Sequence, residues 1–281
     1  MTSTFAPNDV NTPTFATRYV SVGNAPMPMC RALPRRLLGI WAHPDDEAYL
    51  SAGLMARVVD AGGAVTVVTA TSGEHGTGDA TLAGTAGFAA VRQSELEASL
   101  AELGVTDVRF LGIPDGECAQ AADGAVVAGL ASTITEVAPD TIVTFGPDGI
   151  TGHPDHRTVS RWTTEAWGLS GRKADLFYAT MTSEFLARNA DLHDRLGVFD
   201  EYGAAPASIP TWSIALGCSL TEAELVRKRA ALARHASQTG PLAEAVGEAT
   251  YVGWWRDETF RFPTAAESHA GSLRALAGAV R

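Results

Sequence analysis

The feature that most limits what this chain can fold into is an alternation of short apolar runs with helical stripes over roughly its first 180 residues. Leu37-Leu38-Gly39-Ile40, Ala64–Ala70 (AVTVVTA), Val108–Ile113 and Thr141–Phe145 are apolar or β-branched nearly throughout. That is the pattern of strands covered on both faces of a parallel sheet. Between them lie the stripes Leu50, Leu54, Val58, Ala61, then Leu96, Leu100, Leu103, then Leu130, Ile134, Val137, each at helical spacing. Gly62-Gly63, Gly104 and Pro139 stop them. A further helix is expected from His153, with Pro154 preset for its first turn and His156, Val159, Thr163 and Trp167 down one side. Ala174–Met181 reads as another strand. Strand, helix and strand recurring in this way predict an α/β fold, a Rossmann-like, doubly wound, mostly parallel sheet with right-handed crossovers.

The flanks are less regular. Residues 1–33 are rich in Thr, Ser, Pro and Asn without periodicity and read as a flexible or irregular arm, with no signal-peptide pattern. Residues 34–281 are expected to form a single domain with its core at about 36–240 and a smaller, less regular C-terminal part at about 184–281. That part should contain a small antiparallel element around Thr211–Cys218 and a strong helix lined by Leu225, Arg229, Leu232 and Ala236. The aromatic stretch from Tyr251 to Phe262 includes Trp254 and Trp255, expected to pack under the C-terminus.

Composition excludes some partners. A net charge of −11 argues against nucleic acid or an anionic membrane surface, which need a basic footprint. No apolar stretch approaches the roughly 18 to 20 residues of a membrane span. Cys30, Cys118 and Cys218 are too few and too scattered for a disulfide framework or a thiolate metal site, so a cytoplasmic setting is expected. A homo-oligomer is open on these grounds.

In doubly wound sheets ligands bind beyond the carboxyl ends of the strands, and two polar clusters fall there. His43-Pro44-Asp45-Asp46-Glu47 follows the first strand, and His153-Pro154-Asp155-His156 follows the fourth, about 110 positions later. A catalytic zinc commonly takes three His, Asp or Glu ligands and leaves a position for water. His43, Asp46 and His156 can supply that shell. Asp45 and Asp46 are adjacent and must point differently, so one can bind metal while the other faces the water and takes its proton. His153, one helical turn before His156, can face the same cavity and, as an imidazolium, donate to an oxyanion. Ferrous iron, or another divalent ion such as cobalt, suits these ligands as well. Arg92 extends the Leu96–Leu100 stripe backwards, an odd place for a guanidinium unless it reaches a site or a buried carboxylate. His75, flanked by glycine, is a weak candidate.

Ala42-His43-Pro44-Asp45-Asp46-Glu47, Gly73-Glu74-His75-Gly76, Arg92-x-x-Glu95, Leu111-Gly112-x-x-Asp115, His153-Pro154-Asp155-His156 and His235-x-Ser237-Gln238 together resemble the LmbE/PIG-L family, over roughly residues 36 to 240. That family comprises zinc-dependent N-deacetylases of N-acetylglucosaminyl compounds and related amidases of sugar-linked thiols. The resemblance implies His43, Asp46 and His156 as zinc ligands, Asp45 as general base and His153 as electrophilic group. It implies Arg92 and Asp115 on sugar hydroxyls, with Glu47, Glu74, Asp155, His235 and Gln238 supporting the site.

The reading is a metal-dependent hydrolase that removes an acetyl or short acyl group from the amide nitrogen of a small amino-sugar conjugate. An amidase of mycothiol-like sugar–thiol conjugates stays open beside it, and so, more distantly, does a metal-containing sugar-binding module without turnover.

Overall fold

The computed structural model describes residues 19–22, 25–28, 33–203 and 206–268. A short antiparallel hairpin, β1 (Tyr19–Val22) with β2 (Ala25–Pro28), lies within the segment expected to be irregular. Four residues per strand, with prolines in the second, give too little pattern to be read as strands beforehand.

The apolar runs then become the parallel core. In order come β3 (Arg36–Trp41), α1 (Asp46–Asp60), β4 (Ala64–Thr69), α2 (Ala86–Glu102), β5 (Asp107–Phe110), α3 (Asp123–Val137), β6 (Thr141–Phe145), α4 (Pro154–Leu169) and β7 (Asp175–Ala179). These strands lie in the order β7-β6-β3-β4-β5, all parallel. The side chains of Leu37, Leu38, Ile40 and Trp41 in the central strand are fully buried, and Leu54, Val58, Leu96, Leu100, Leu130 and Ile134 bring the helical stripes onto the sheet. Ala61 is an exposed helix cap instead of a stripe member. The third strand is shorter than its apolar run predicts. At the sheet edge its residues are only half-buried, and Gly112, at φ 71°, breaks the regular strand, although the Leu111 and Ile113 N–H groups still donate to the Thr69 and Ala70 carbonyls.

The C-terminal part joins the same sheet. β8 (Met181–Thr182), α5 (Ser183–Arg188), α6 (Ala190–Leu196) and β9 (Ser208–Ile209) lead to β10 (Leu216–Ser219), α7 (Glu222–Arg234), α8 (Ala236–Val246), α9 (Glu248–Trp254) and β11 (Asp257–Arg261). β11 pairs antiparallel with β7 and β10 antiparallel with β11, making seven strands. The small antiparallel element expected at Thr211–Cys218 is therefore not separate. Thr211–Ser213 is a turn of 3-10 helix, and the strand after it pairs with β11, which covers the β7 edge that would otherwise leave a row of backbone groups unpaired.

The α7 stripe also differs from expectation. Leu225, Lys228, Ala231, Leu232 and His235 are buried, whereas Arg229 and Ala236 are exposed. A pattern read from apolar residues alone skips Lys228 and His235, which are buried because each meets a carboxylate.

Candidate metal centre and active site

β3 is bonded to β4 on one side and to β6 on the other, so the strand order reverses at β3 and β6. Ligands of doubly wound sheets sit in the crevice at that switch point. The His43 cluster leaves the end of β3 and the His153 cluster follows β6, which puts both at one crevice. Asp45 caps α1 and His153 caps α4, where Pro154 occupies the first turn.

The three expected ligands converge. His43 Nδ1 lies 3.1 Å from His156 Nε2 and 3.7 Å from an Asp46 carboxyl oxygen. Asp46 is in turn 3.4 Å from His156 Nε2. Each ring is aimed by its other nitrogen: His156 Nδ1 by the Gly149 carbonyl at 3.0 Å, and His43 Nε2 by Asp115 at 3.1 Å and Asp155 at 3.3 Å. Such outer partners fix the tautomer and orientation of metal-ligating histidines. Asp155 is itself held by the N–H groups of Gly116 and Cys118. The ring nitrogens of His43, His153 and His156 also fall within 4.8 Å of one another, as do donors of His43, Asp115 and Asp155. An imidazole pair and a carboxylate facing one point fit a divalent ion.

The electrostatics agree with a cation there. Burial opposes a charge on His43, but hydrogen bonds to Asp115 and Asp155 and the charge of Asp46 overturn that and hold its pKa at about 10. These carboxylates demand positive charge at this ring, which a proton supplies and a metal ion on Nδ1 would supply instead. Burial, then the neighbouring His43, pushes His156 well below its ordinary value, leaving a lone pair for coordination. Burial also pushes Asp46 up, against His43.

Asp45 stands apart from these ligands. Its φ of 120° lies where glycine is favoured. Burial raises its carboxyl to about 7, against the lowering effect of Arg92, 3.3 Å away. Arg92 is the buried guanidinium that the helix stripe foreshadowed. It donates to the carbonyls of Pro44 and Gly73, so its contacts hold the Asp45 loop. Gly73 and Gly76 leave it room, since a Cβ on either would run into the guanidinium. The Asp45 N–H donates to Glu47 Oε2 at 3.0 Å, and Glu47 Oε1 meets His235 Nε2 at 3.1 Å.

His153 Nδ1 accepts the Asp155 N–H at 3.1 Å, and burial with the nearby His43 lowers its pKa. Both favour the neutral ring with its proton on Nε2, where the sequence suggested an imidazolium. Asp115 accepts the His75 N–H, while the Asp115 N–H donates to Glu74. Gln238 donates to the Gly76 carbonyl, tying α8 to the same loop.

Sequence reasoning missed two parts of the surroundings. Glu258 accepts the N–H groups of Gly53 and Leu54 at 2.7 and 2.8 Å, in the middle of α1. A regular helix gives those groups to residues 49 and 50. Lys228 bonds both Glu258 and the Tyr49 carbonyl, so the buried pair enters the helix ladder next to the turn carrying Asp46. The second part is a wall. A cavity of about 680 Å³ surrounds the centre, with His75, Arg92, Asp115 and Gln238 on its lining together with Tyr202, Trp254 and Trp255. The glycine-flanked His75 had a motif signal; Tyr202 had none.

A cluster of possible metal donors at the switch point of a Rossmann-like sheet is the arrangement a metal-site α/β hydrolase requires. Residues 38–167 match PIG-L, described as GlcNAc-PI de-N-acetylase. The chain belongs to this family. It is 35% identical over 253 residues to a 1D-myo-inositol 2-acetamido-2-deoxy-alpha-D-glucopyranoside deacetylase of Actinosynnema mirum, covering 80% of this chain and 88% of that one. A second such deacetylase, from Catenulispora acidiphila, is 39% identical over half of this chain (50%) and 53% of its own length. In structure the chain is similar to the N,N'-diacetylchitobiose deacetylase of Pyrococcus horikoshii, at a TM-score of 0.55 and 22% identity, over 82% of this chain and 84% of that one. Among the described residues, no helix is long and apolar enough to cross a membrane.

Proposed function

We propose that the chain is a zinc-dependent N-deacetylase of a small amino-sugar conjugate. The observation that carries this is the meeting of His43, Asp46 and His156 with Asp45 immediately beside them in one cavity. Its relatives are named for deacetylation of an N-acetylglucosaminyl inositol, which supports an amino-sugar amide as substrate. Two buried thiols, Cys118 and Cys218, support a reducing cytoplasm as its setting.

His43, Asp46 and His156 would hold the ion, with zinc or ferrous iron both suited to this ligand set. When bound, the ion supplies Lewis-acid polarisation and acidifies a water to near neutral pKa. Asp45, raised to about 7, is matched to taking a proton from water near neutral pH. As the water oxygen bonds to the acyl carbon, that proton passes to Asp45. It moves on to the nitrogen as the C–N bond breaks, giving acetate and the free amine. His153, with its proton on Nε2, donates to the oxygen that gains charge at the acyl carbon. Arg92, through Pro44 and Gly73, keeps Asp45 aimed, and Asp115, on the cavity lining, would meet sugar hydroxyls beside its contacts to His43 and the His75 N–H.

The test is acetate release from methyl N-acetylglucosaminide by protein stripped with chelator and reloaded with zinc or ferrous iron. Release that returns with metal supports the reading. Absence of acetate from every amino sugar, with cleavage of a cysteinyl amide, would favour the sugar–thiol amidase.

A further inference from the structure

The cavity around the metal centre has two unlike walls. His75, Arg92, Asp115 and Gln238 give it a polar side. Tyr49, Leu50, Ile150, Met181, Trp254 and Trp255 also line the cavity, and the same six line a second pocket of about 100 Å³. The shared wall offers rings and aliphatic chains. Tyr49 spends its hydroxyl on Tyr251 at 2.8 Å, and Trp254 gives its ring N–H to His193 at 3.1 Å. Deeper in the pocket are Phe185 and Ile214. Its charged groups are engaged with one another or with backbone: Arg188 with Asp257 at 3.7 Å, Glu258 with Lys228, and Glu184 with the Thr211 N–H.

Resting on the deacetylase reading, we propose that this side pocket receives an apolar aglycone, a branched alkyl or single aromatic ring carried by the amino sugar. The Trp255 ring N–H is buried without a partner among the described residues, and Thr211 and Thr182 line the pocket, so a few hydroxyls could be met. A polyol would still leave most of its own unpaired against the rings and aliphatic chains, and burying an unpaired hydroxyl is unfavourable. An apolar group gains by leaving water there. The pocket is somewhat smaller than the roughly 150 Å³ cavity known to take benzene, so a ring would enter it with part of its surface still in the main cavity. The sugar then lies toward Asp115 and the aglycone toward Ile214. The substrate thereby differs from the inositol glycoside for which the relatives are named.

The experiment measures binding by calorimetry of three glucosamine glycosides, methyl, benzyl and inositol-linked, to the metal-loaded protein. These amines are products, so no turnover is needed. Benzyl is expected to bind at least tenfold more tightly than methyl or inositol, with the more negative heat-capacity change of apolar burial. In Ile214→Trp, which fills the pocket, the benzyl-to-methyl ratio should fall toward one. Inositol binding as tightly as benzyl, or an equal loss for all three glycosides in Ile214→Trp, overturns the proposal. If benzyl is preferred but no N-acetyl glycoside releases acetate, the pocket stands and the deacetylase reading fails. If acetate is released without a benzyl preference, the pocket fails and the reading stands.

Discussion

His235 Nε2 and Glu47 Oε1 stand 3.1 Å apart with neither side chain exposed, and the other oxygen of Glu47 takes the N–H of Asp45. A residue at the α7–α8 corner is thus linked through Glu47 to the strained backbone of the proposed base. The link matters because Asp45, at φ 120°, sits in a conformation that persists only when its surroundings over-determine it.

Glu47→Ala should therefore lower kcat by about 10- to 100-fold, the usual effect of losing an outer partner at a metal site, with metal content unchanged. Glu47→Gln keeps an acceptor for the Asp45 N–H and should retain most of the rate. Steady-state kinetics beside metal analysis checks both, and an alanine variant with wild-type kcat contradicts the positioning role.

Asp45→Gly separates strain from chemistry. The conformation costs about 1 to 3 kcal/mol for a non-glycine residue, while glycine forfeits about 0.5 to 1 kcal/mol in chain entropy. Against Asp45→Ala, which loses the same carboxylate beside Arg92, the glycine variant should be as stable or about 1 kcal/mol more stable, and neither should release acetate. A thermal midpoint for Asp45→Gly clearly below that of Asp45→Ala would show that the backbone is not strained.

Lys228→Met leaves Glu258 buried without its cation, 2.8 Å partner and all. Breaking a buried pair from one side costs roughly 3 to 5 kcal/mol, to be read from denaturant unfolding. Lys228→Met combined with Glu258→Gln should recover much of the loss, since Gln still accepts from α1. A single-variant loss below about 1 kcal/mol would contradict a stabilising role for the Lys228–Glu258 pair in the α1 ladder.

Arg57 holds the Glu224 carboxyl down to about 2, helped by the Thr221 cap of α7, against burial. A depressed acid stabilises the fold fully above its ordinary value of 4.5, and that contribution is lost as pH falls through about 2. Unfolding scans between these limits should show Glu224→Gln losing less stability on acidification than the parent. Parallel curves would remove this pair from the acid response.

The parallel core was open to reading because buried parallel strands are apolar on both faces, so Ile40, Val67 and Val143 mark the sheet without alternation. The candidate donor cluster was open too, because both histidine motifs cluster locally and the switch point brings them together. What escaped was set by long-range pairing. Lys228 and His235 look like interruptions of a stripe until Glu258 and Glu47, remote in sequence, are placed beside them. The antiparallel β10 and β11 are short, and their place on the β7 edge depends on a partner no local pattern reveals. The charge of His153 was not open to reading, because its Nδ1 partner, the Asp155 N–H, is a backbone group that composition does not show.

The central claim is that Asp45 performs the proton transfer while His43, Asp46 and His156 hold the ion. Metal content and acetate release measured together on Asp45→Asn test it most directly. The account predicts about one equivalent of metal, as in the parent, with acetate release lowered by at least 100-fold, in the range of a lost general base. An Asp45→Asn protein that keeps its metal and deacetylates at the parental rate would contradict it.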